Sequence, residues 1–240
     1  MSEEVDEGRR NFIKFLAAGS GLAAVGLSLG VIVQTLNPPP IGISSFPTLL
    51  LVDSSGAPVK ASSLALNNPS VLQFNYPLQN TPNFLLNIGN ANGIPLSIQP
   101  TEVTIPATGG KYQSYGGVGK NNSVVAFSAI CQHLGCIFPE LRFYPAGVES
   151  VTVKGENYTN VIHCLCHGST YDPVNGGAVI TGPTVHPLPS LKLVWDSNTD
   201  ELYVSNMVGP TIYGRTSDLT GETPLTGSST VVQNAGNPFQ

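Results

Sequence analysis

Most of the chain's four cysteines and four histidines lie in two short segments. The first, CQHLGC, covers residues 131–136, and the second, CLCHGSTY, covers residues 164–171. Each segment holds a closely spaced cysteine and histidine, and these four residues are Cys131, His133, Cys164 and His167. Each segment can therefore offer one thiolate and one imidazole to a common metal centre. Two further cysteines, one in each segment, are left over.

Two sulfur and two nitrogen ligands fit a structural zinc site, which would tie the segments together. The remaining pair, Cys136 and Cys166, can form a disulfide if the domain is exported to an oxidising compartment. A zinc site alone would leave that pair and the residues after His167 unexplained. The joint pattern is much more specific than either segment by itself.

The regions that must position these segments have a β pattern. Beyond residue 47, short runs such as TLLLVD, SVLQFNY and SVVAFSAI are rich in branched or aromatic residues and are separated by Gly, Pro and Asn. We predict an all-β domain over residues 48–208, an antiparallel sandwich or barrel, followed by a C-terminal extension over 209–240. The net charge of −5 and the lack of any Lys/Arg block exclude nucleic acid as a partner.

The N-terminal region predicts a membrane anchor. Residues 15–36 carry no charge, and as a helix they would span about 33 Å, enough to cross a bilayer. Arg9 and Arg10 form a twin-arginine-like motif in residues 1–14, which the positive-inside rule places in the cytoplasm. Residues 37–47 include three successive prolines and predict a hinge. We expect a single-pass cell-membrane protein with its β domain on the outer face.

Together the two segments resemble the signature of Rieske iron-sulfur proteins, in which two cysteines ligate one iron of a [2Fe-2S] cluster and two histidines ligate the other. The resemblance is to the high-potential, membrane-anchored type, closest to that of thermoacidophilic archaea. The long stretch between the segments, Ile137 to His163, resembles an insertion in those archaeal proteins. The resemblance implies a Rieske-type antiparallel fold with a cluster-binding part at about 126–190.

The resemblance also assigns roles to individual residues. The implied ligands are Cys131, His133, Cys164 and His167, and the implied disulfide joins Cys136 to Cys166. The residues implied to surround the cluster are Leu134, Gly168, Ser169, Tyr171, Gly182 and Pro183. Among these, the Ser169 and Tyr171 hydroxyls would donate to cluster sulfurs and raise the reduction potential. The family's usual Ala-Pro after Gly182 and Pro183 is absent here.

The function that the resemblance implies is electron transfer during quinol oxidation. His133 or His167 would accept a hydrogen bond and a proton from a membrane quinol, and the electron would pass to a haem or copper acceptor. The chain would work beside a cytochrome b-like subunit of a bc-type or archaeal oxidase complex and catalyse no turnover alone.

Two other functions remain open from the sequence. One is the Rieske small subunit of an exported molybdenum oxidoreductase such as arsenite oxidase, and the other is a zinc-stapled cell-surface binding module. The presence of Ser169, Tyr171, Gly182, Pro183 and a long anchor favours the quinol-oxidising subunit. Asn121 and Asn157 begin Asn-x-Ser/Thr motifs that would be open to glycosylation on an outer-face domain, which the intact mass of native protein would reveal.

Overall fold

The computed structural model describes residues 46–210 and 223–240. Within these ranges the regular secondary structure is all β-strand, apart from a single 3₁₀ turn at Ala61–Ser63. The strands are β1 (Leu49–Val52), β2 (Val71–Asn75), β3 (Pro82–Asn87), β4 (Glu102–Thr104), β5 (Lys111–Gln113), β6 (Val124–Ser128), β7 (Leu141–Tyr144), β8 (Val151–Val153), β9 (Glu156–Tyr158), β10 (Val161–Cys164), β11 (Thr170–Asp172), β12 (Ala178–Thr181), β13 (Ser190–Asp196), β14 (Glu201–Val208), β15 (Ser229–Val231) and β16 (Gln233–Gly236). The prediction of an all-β domain is confirmed.

The predicted N-terminal segments at 1–14 and 15–36 lie outside the described residues, as does most of the predicted hinge. Within the part that the structure describes, no helix is long and apolar enough to span a bilayer. The last two residues of the predicted hinge, Phe46 and Pro47, contact the β domain. The ring of Phe46 stacks on that of Tyr76 at a centroid distance of 6.1 Å, and the Tyr76 hydroxyl donates to the Pro47 carbonyl.

Eight strands form the main sheet, in the order β15-β1-β14-β13-β6-β3-β2-β16. The two outermost strands, β15 and β16, are consecutive in the chain and only Val232 separates them. The first pairs in parallel with β1, and the second pairs antiparallel with β2. The segment Ser229–Gly236 therefore joins both edges of the sheet into a barrel. This segment belongs to the predicted C-terminal extension, whose role the sequence did not reveal.

Strand β6 is buried along its whole length because both of its faces pack against a core. Val124 and Ala126 point into the barrel core, whereas Val125 and Phe127 point into a second core beneath a smaller sheet. A strand covered on both faces has a continuous apolar sequence rather than an alternating one. The uninterrupted run SVVAFSAI thus marks the strand that connects the barrel to the cluster-binding part.

The smaller sheet has four strands in the order β12-β11-β10-β7 and carries both Cys/His segments. The first segment, residues 131–136, lies between β6 and β7, and the second connects β10 to β11. The long stretch between the segments forms β7, a separate β8–β9 hairpin and β10. Asn157 is exposed on that hairpin.

The C-terminal residues beyond β16 reach the smaller sheet. The Arg142 guanidinium donates to the Pro238 carbonyl at 2.7 Å and lies 5.7 Å from the centre of the Phe239 ring. That ring also packs edge-on against Tyr144 at a centroid distance of 5.1 Å. The C-terminus therefore holds strand β7 to the segment that closes the barrel.

Replacing Phe239 by alanine should destabilise the fold. The substitution removes one aromatic pair and one cation–π contact, so we expect the free energy of unfolding to fall by about 1 to 2.5 kcal/mol. Urea denaturation would measure the change. Gln240→Ala, at an exposed neighbouring position, is the control and should leave the urea midpoint unchanged. An unaltered midpoint in Phe239→Ala would show that the C-terminal contact contributes nothing.

Candidate metal centre

A disulfide between Cys136 and Cys166 joins the two Cys/His segments, as the resemblance implied. The Cys164 sulfur lies within 4.8 Å of both disulfide sulfurs. The bridge is therefore adjacent to one of the predicted ligands, and it fixes the two loops side by side.

The two loops have the same backbone hydrogen bonds. Gly135 N–H donates to the Cys131 carbonyl, and Gly168 N–H donates to the Cys164 carbonyl, both at 2.9 Å. Both glycines have positive φ, 78° and 86°, in the left-handed region that other residues adopt only with strain. The sequence analysis did not single out Gly135. The spacing Cys-x-x-x-Gly, which both loops share, is the signal that could have identified it.

The four predicted ligands differ in exposure according to type. The thiols of Cys131 and Cys164 are buried, at 2 % and 1 % exposure. His133 is partly exposed and His167 is exposed, and their rings meet edge-on at a centroid distance of 4.9 Å. The sulfur side of the site therefore faces the protein, and the imidazole side faces solvent.

The environment favours negative charge on one sulfur. The hydrogen bond from Cys164 lowers the pKa of the Cys131 thiol to about 6, although burial opposes this, and Tyr171 and Ser169 lower it further. The same hydrogen bond, together with burial, raises the pKa of Cys164. Of these groups, only the Tyr171 and Ser169 hydroxyls keep a proton to donate when both cysteines bind a metal as thiolates.

Tyr171 is fully buried, and its hydroxyl lies 3.2 Å from the Cys131 sulfur. The phenolic oxygen also accepts the Gln132 main-chain N–H at 2.9 Å. Because one lone pair is engaged by that N–H, the hydroxyl proton is available to the sulfur, and a metal-bound thiolate can only accept it. Burial, and next the charge on Cys131, raise the pKa of Tyr171, so the phenol keeps this proton.

The other predicted surrounding residues lie at the outer end of the site. Leu134 is 59 % exposed beside His133, and Leu165 is 51 % exposed in the second loop. Gly182 and Pro183 are exposed in a third loop that follows β12. This loop contacts the site through the main-chain N–H of Thr184, which donates to the Ser169 hydroxyl oxygen at 3.2 Å.

The other two histidines have different surroundings. His163 is buried with its Nδ1 2.9 Å from the Thr170 hydroxyl, and burial and then Arg142 lower the pKa of its imidazole. His186 lies in the third loop, where its main-chain N–H and carbonyl bond to the Thr184 hydroxyl. Neither was predicted as a ligand.

The donors fit an iron-sulfur cluster. Nδ1 of His133 is buried and has no hydrogen-bond partner among the described residues, as expected of a ring nitrogen kept for a metal. Two buried thiols lie on the inner side, and the Tyr171 hydroxyl lies 3.2 Å from the sulfur of one of them. Two sulfur and two imidazole donors with such a hydroxyl fit a protein that binds a [2Fe-2S] cluster through mixed ligands.

Comparison with known families gives the same result. Residues 102–192 match the family model of the Rieske [2Fe-2S] domain, a range that includes both ligand loops and the third loop. The chain therefore carries a Rieske [2Fe-2S] domain, and its cofactor is the [2Fe-2S] cluster. The zinc site that the ligand types alone left open is set aside.

Several known proteins are similar to the chain. The Rieske iron-sulfur subunit of the cytochrome bc1 complex of Streptomyces lividans is 33 % identical over 101 residues, 40 % of this chain and 49 % of that protein. The iodate reductase subunit IdrB of Denitromonas iodatirespirans is 28 % identical over 68 % of this chain and 66 % of its own length. The chain thus spans about half the length of the bc1 relative.

A solved structure is also similar, that of the soluble domain of Rieske protein II from Sulfolobus acidocaldarius. It is 26 % identical, covers 80 % of this chain and all of its own, and has a TM-score of 0.46. The predicted likeness to the membrane-anchored proteins of thermoacidophilic archaea stays a prediction.

Proposed function

We propose that the chain is the Rieske electron-transfer subunit of a quinol-oxidising respiratory complex, either bc-type or an archaeal terminal oxidase complex. The observation that carries the proposal is the position of the buried Tyr171 hydroxyl, 3.2 Å from the buried Cys131 sulfur. Hydrogen bonds to sulfur favour the electron-rich reduced state and so raise the reduction potential. A raised potential is what a carrier needs in order to accept an electron from quinol.

The imidazoles supply the proton chemistry. Since Nδ1 of His133 is directed inward, the opposite ring nitrogen, Nε2, is the atom that would accept a hydrogen bond and then a proton from the quinol hydroxyl. His167, which is exposed, would offer its Nε2 in the same way. When bound, the cluster supplies a one-electron acceptor in the range of roughly −150 to +300 mV.

The surface around the imidazoles suits an apolar substrate. The large apolar side chains of Leu134, Leu165 and Val185 are 59 %, 51 % and 47 % exposed in the three loops. They would exclude water from the quinol ring while a histidine accepts its proton. The protein partners would be a cytochrome b-like subunit and a haem or copper acceptor.

The predicted membrane position completes the proposal. Residues 15–36 would hold the chain in the cell membrane with the N-terminus in the cytoplasm, and residues 37–47 would tether the cluster domain on the outer face. Support comes from the sequence pattern, namely the uncharged span after Arg9, Arg10 and Lys14. Protease protection of the N-terminus in intact cells would test this orientation, and cleavage there would contradict it.

Removing either hydroxyl should lower the reduction potential. Ser169→Ala and Tyr171→Phe each delete one charge-assisted hydrogen bond worth ~1.2 to 3 kcal/mol of differential stabilisation, or roughly 50 to 130 mV. Neither variant should lose the cluster. Film voltammetry on the full-length protein would measure both shifts.

Tyr203→Phe is the matched control, because it deletes a tyrosine hydroxyl that donates to Glu201 in the barrel. Its potential should equal that of the wild type. A wild-type potential near or below about −100 mV, unchanged in both site variants, would make quinol oxidation untenable.

The length of one alignment favours a second function. The iodate reductase subunit aligns over 68 % of this chain, whereas the bc1 subunit aligns over 40 %. This supports the alternative that the chain is the Rieske small subunit of an exported oxidoreductase, for which arsenite oxidase was the example from sequence. Co-purification of the native chain with a haem-containing cytochrome b would favour the first function, and a molybdenum-containing partner would favour the second.

A further inference from the structure

The two Asn-x-Ser/Thr motifs of the sequence differ in accessibility once the chain is folded. The first motif covers residues 121–123 and the second covers residues 157–159. Since the third residue of the motif must have a hydroxyl group, a glycosyl transferase has to reach that hydroxyl as well as the asparagine amide. The surroundings of the third residue therefore decide whether a folded domain can be modified.

The first motif is closed by the fold. Its third residue, Ser123, is only 3 % exposed, and the Ser123 hydroxyl donates to the Asn87 side-chain oxygen at 2.7 Å. The Ser123 carbonyl accepts the Ile88 N–H at 3.0 Å. The carbonyl of Asn122, the middle residue, accepts the Ile98 N–H at 2.9 Å. The hydroxyl that a transferase needs is thus buried and already bonded.

The second motif is open on the β8–β9 hairpin. Asn157 and Thr159 are exposed, and Tyr158 between them is partly exposed. The hairpin is a two-stranded sheet of its own, in which Asn157 pairs with Thr152, a residue that is also exposed. Two strands without further neighbours are held weakly, so this segment can open locally and enter an enzyme's site.

An oligosaccharide on this hairpin would leave the ligand loops free. The hairpin connects β7 to β10 at the end of the smaller sheet where Tyr144 pairs with Val161. The ligand loops lie at the other end, where Leu141 pairs with Cys164. The two ends are three residues apart, from 161 to 164, which is about 10 Å along the strands. A bulky sugar at Asn157 is therefore compatible with a partner docked at the loops.

We propose that Asn157 carries an N-linked oligosaccharide in the native protein and that Asn121 does not. The proposal rests on the exported position that both proposed functions share, because the co-reactant, a lipid-linked oligosaccharide phosphate, modifies exported proteins. In the transfer, a bond forms between Asn157 Nδ2 and the first carbon of the sugar, and the bond from that carbon to the lipid phosphate oxygen breaks. The lipid phosphate leaves with the bonding electrons, and one proton passes from Nδ2 to a base of the transferase.

The test supplies purified full-length protein, prepared without glycans, with an oligosaccharyltransferase and a lipid-linked oligosaccharide. The folded chain should gain the mass of one oligosaccharide, and mass spectrometry of its peptides should locate the sugar at Asn157. Synthetic peptides of residues 117–125 and 153–161 are the reference, and both should be modified. At Asn121 the folded chain should react at least about tenfold more slowly than its peptide, because the segment must first open.

Two threonine variants of the hairpin provide matched controls, since both positions are exposed. Thr159→Ala removes the hydroxyl from the motif and should abolish transfer to Asn157. Thr152→Ala, opposite Asn157 in the hairpin, should leave the transfer unchanged. Transfer to Thr159→Ala at the wild-type rate would refute recognition of the motif.

The outcomes separate this proposal from the proposed function. A folded chain that accepts sugar at Asn121 as fast as its peptide would refute the proposal, as would one that leaves Asn157 unmodified while the peptide reacts. An unmodified intact mass of the native chain would refute it as well. The function is judged by the reduction potential instead, so lowered potentials in Ser169→Ala and Tyr171→Phe would uphold quinol oxidation even if Asn157 carried no sugar.

Discussion

Removing any one of the four predicted ligands should abolish the Rieske-type EPR signal of the reduced protein. His133→Cys, His167→Ala and Cys164→Ser each take away one donor from a centre that holds two thiols and two imidazoles. The loss should be complete rather than graded, because a cluster with an incomplete ligand set is released or assembles in another form. EPR together with iron content per chain would measure the outcome.

His186→Ala is the control for these variants. His186 bonds to the Thr184 hydroxyl through its main chain, and an alanine keeps those bonds. The substitution should leave the signal intact. If His186→Ala destroyed the cluster and His133 proved dispensable, the ligand assignment would be wrong.

A candidate ligand set could be read from the sequence because the pattern that suggests it is local. Each loop presents its cysteine and histidine within four consecutive residues, and the loop backbone closes on itself through the Gly135 and Gly168 hydrogen bonds. Little of the distant fold is needed to recognise such a segment. The all-β fold class could also be predicted from the sequence, because short runs of branched residues separated by Gly and Pro are typical of strands.

Closure of the barrel could not be predicted from the sequence in the same way. In the segment Ser229–Gly236 only Thr230 and Val232 are buried, so the sequence gives little apolar pattern to indicate a strand. Its partners β1 and β2 lie more than 150 residues earlier in the chain. Such a strand is stabilised by main-chain pairing at two open sheet edges, which only the assembled fold provides.

The main-chain donors at the site were also missed. Gln132 and Thr184 act on Tyr171 and Ser169 through backbone N–H groups, which every residue except proline possesses. The residue type therefore does not indicate which main-chain N–H groups donate to the site. The departure from Ala-Pro in the third loop was visible in the sequence, but its consequence depends on where the loop folds.

Removing the disulfide should give the largest loss of stability of any single change outside the ligands. Cys136→Ser or Cys166→Ser opens a loop defined by a sequence separation of 30 residues. The chain-entropy relation assigns about 3.6 kcal/mol to a loop of this length, within the usual range of roughly 2 to 5 kcal/mol. Since the Cys164 sulfur lies beside the bridge, the loosened loops should also release the cluster more readily. Urea denaturation and the rate of cluster bleaching would measure the two effects.

The double variant distinguishes the bridge from simple side-chain packing. Either single substitution already breaks the bond, so Cys136→Ser with Cys166→Ser together should cost little more than one alone. A fully additive loss would show that the two sulfurs contribute as packing groups in the core beneath the smaller sheet. Mass spectrometry of non-reduced peptides from the native protein gives the direct check. Alkylation at both positions would contradict the disulfide, and with it the prediction that the domain lies in an oxidising compartment.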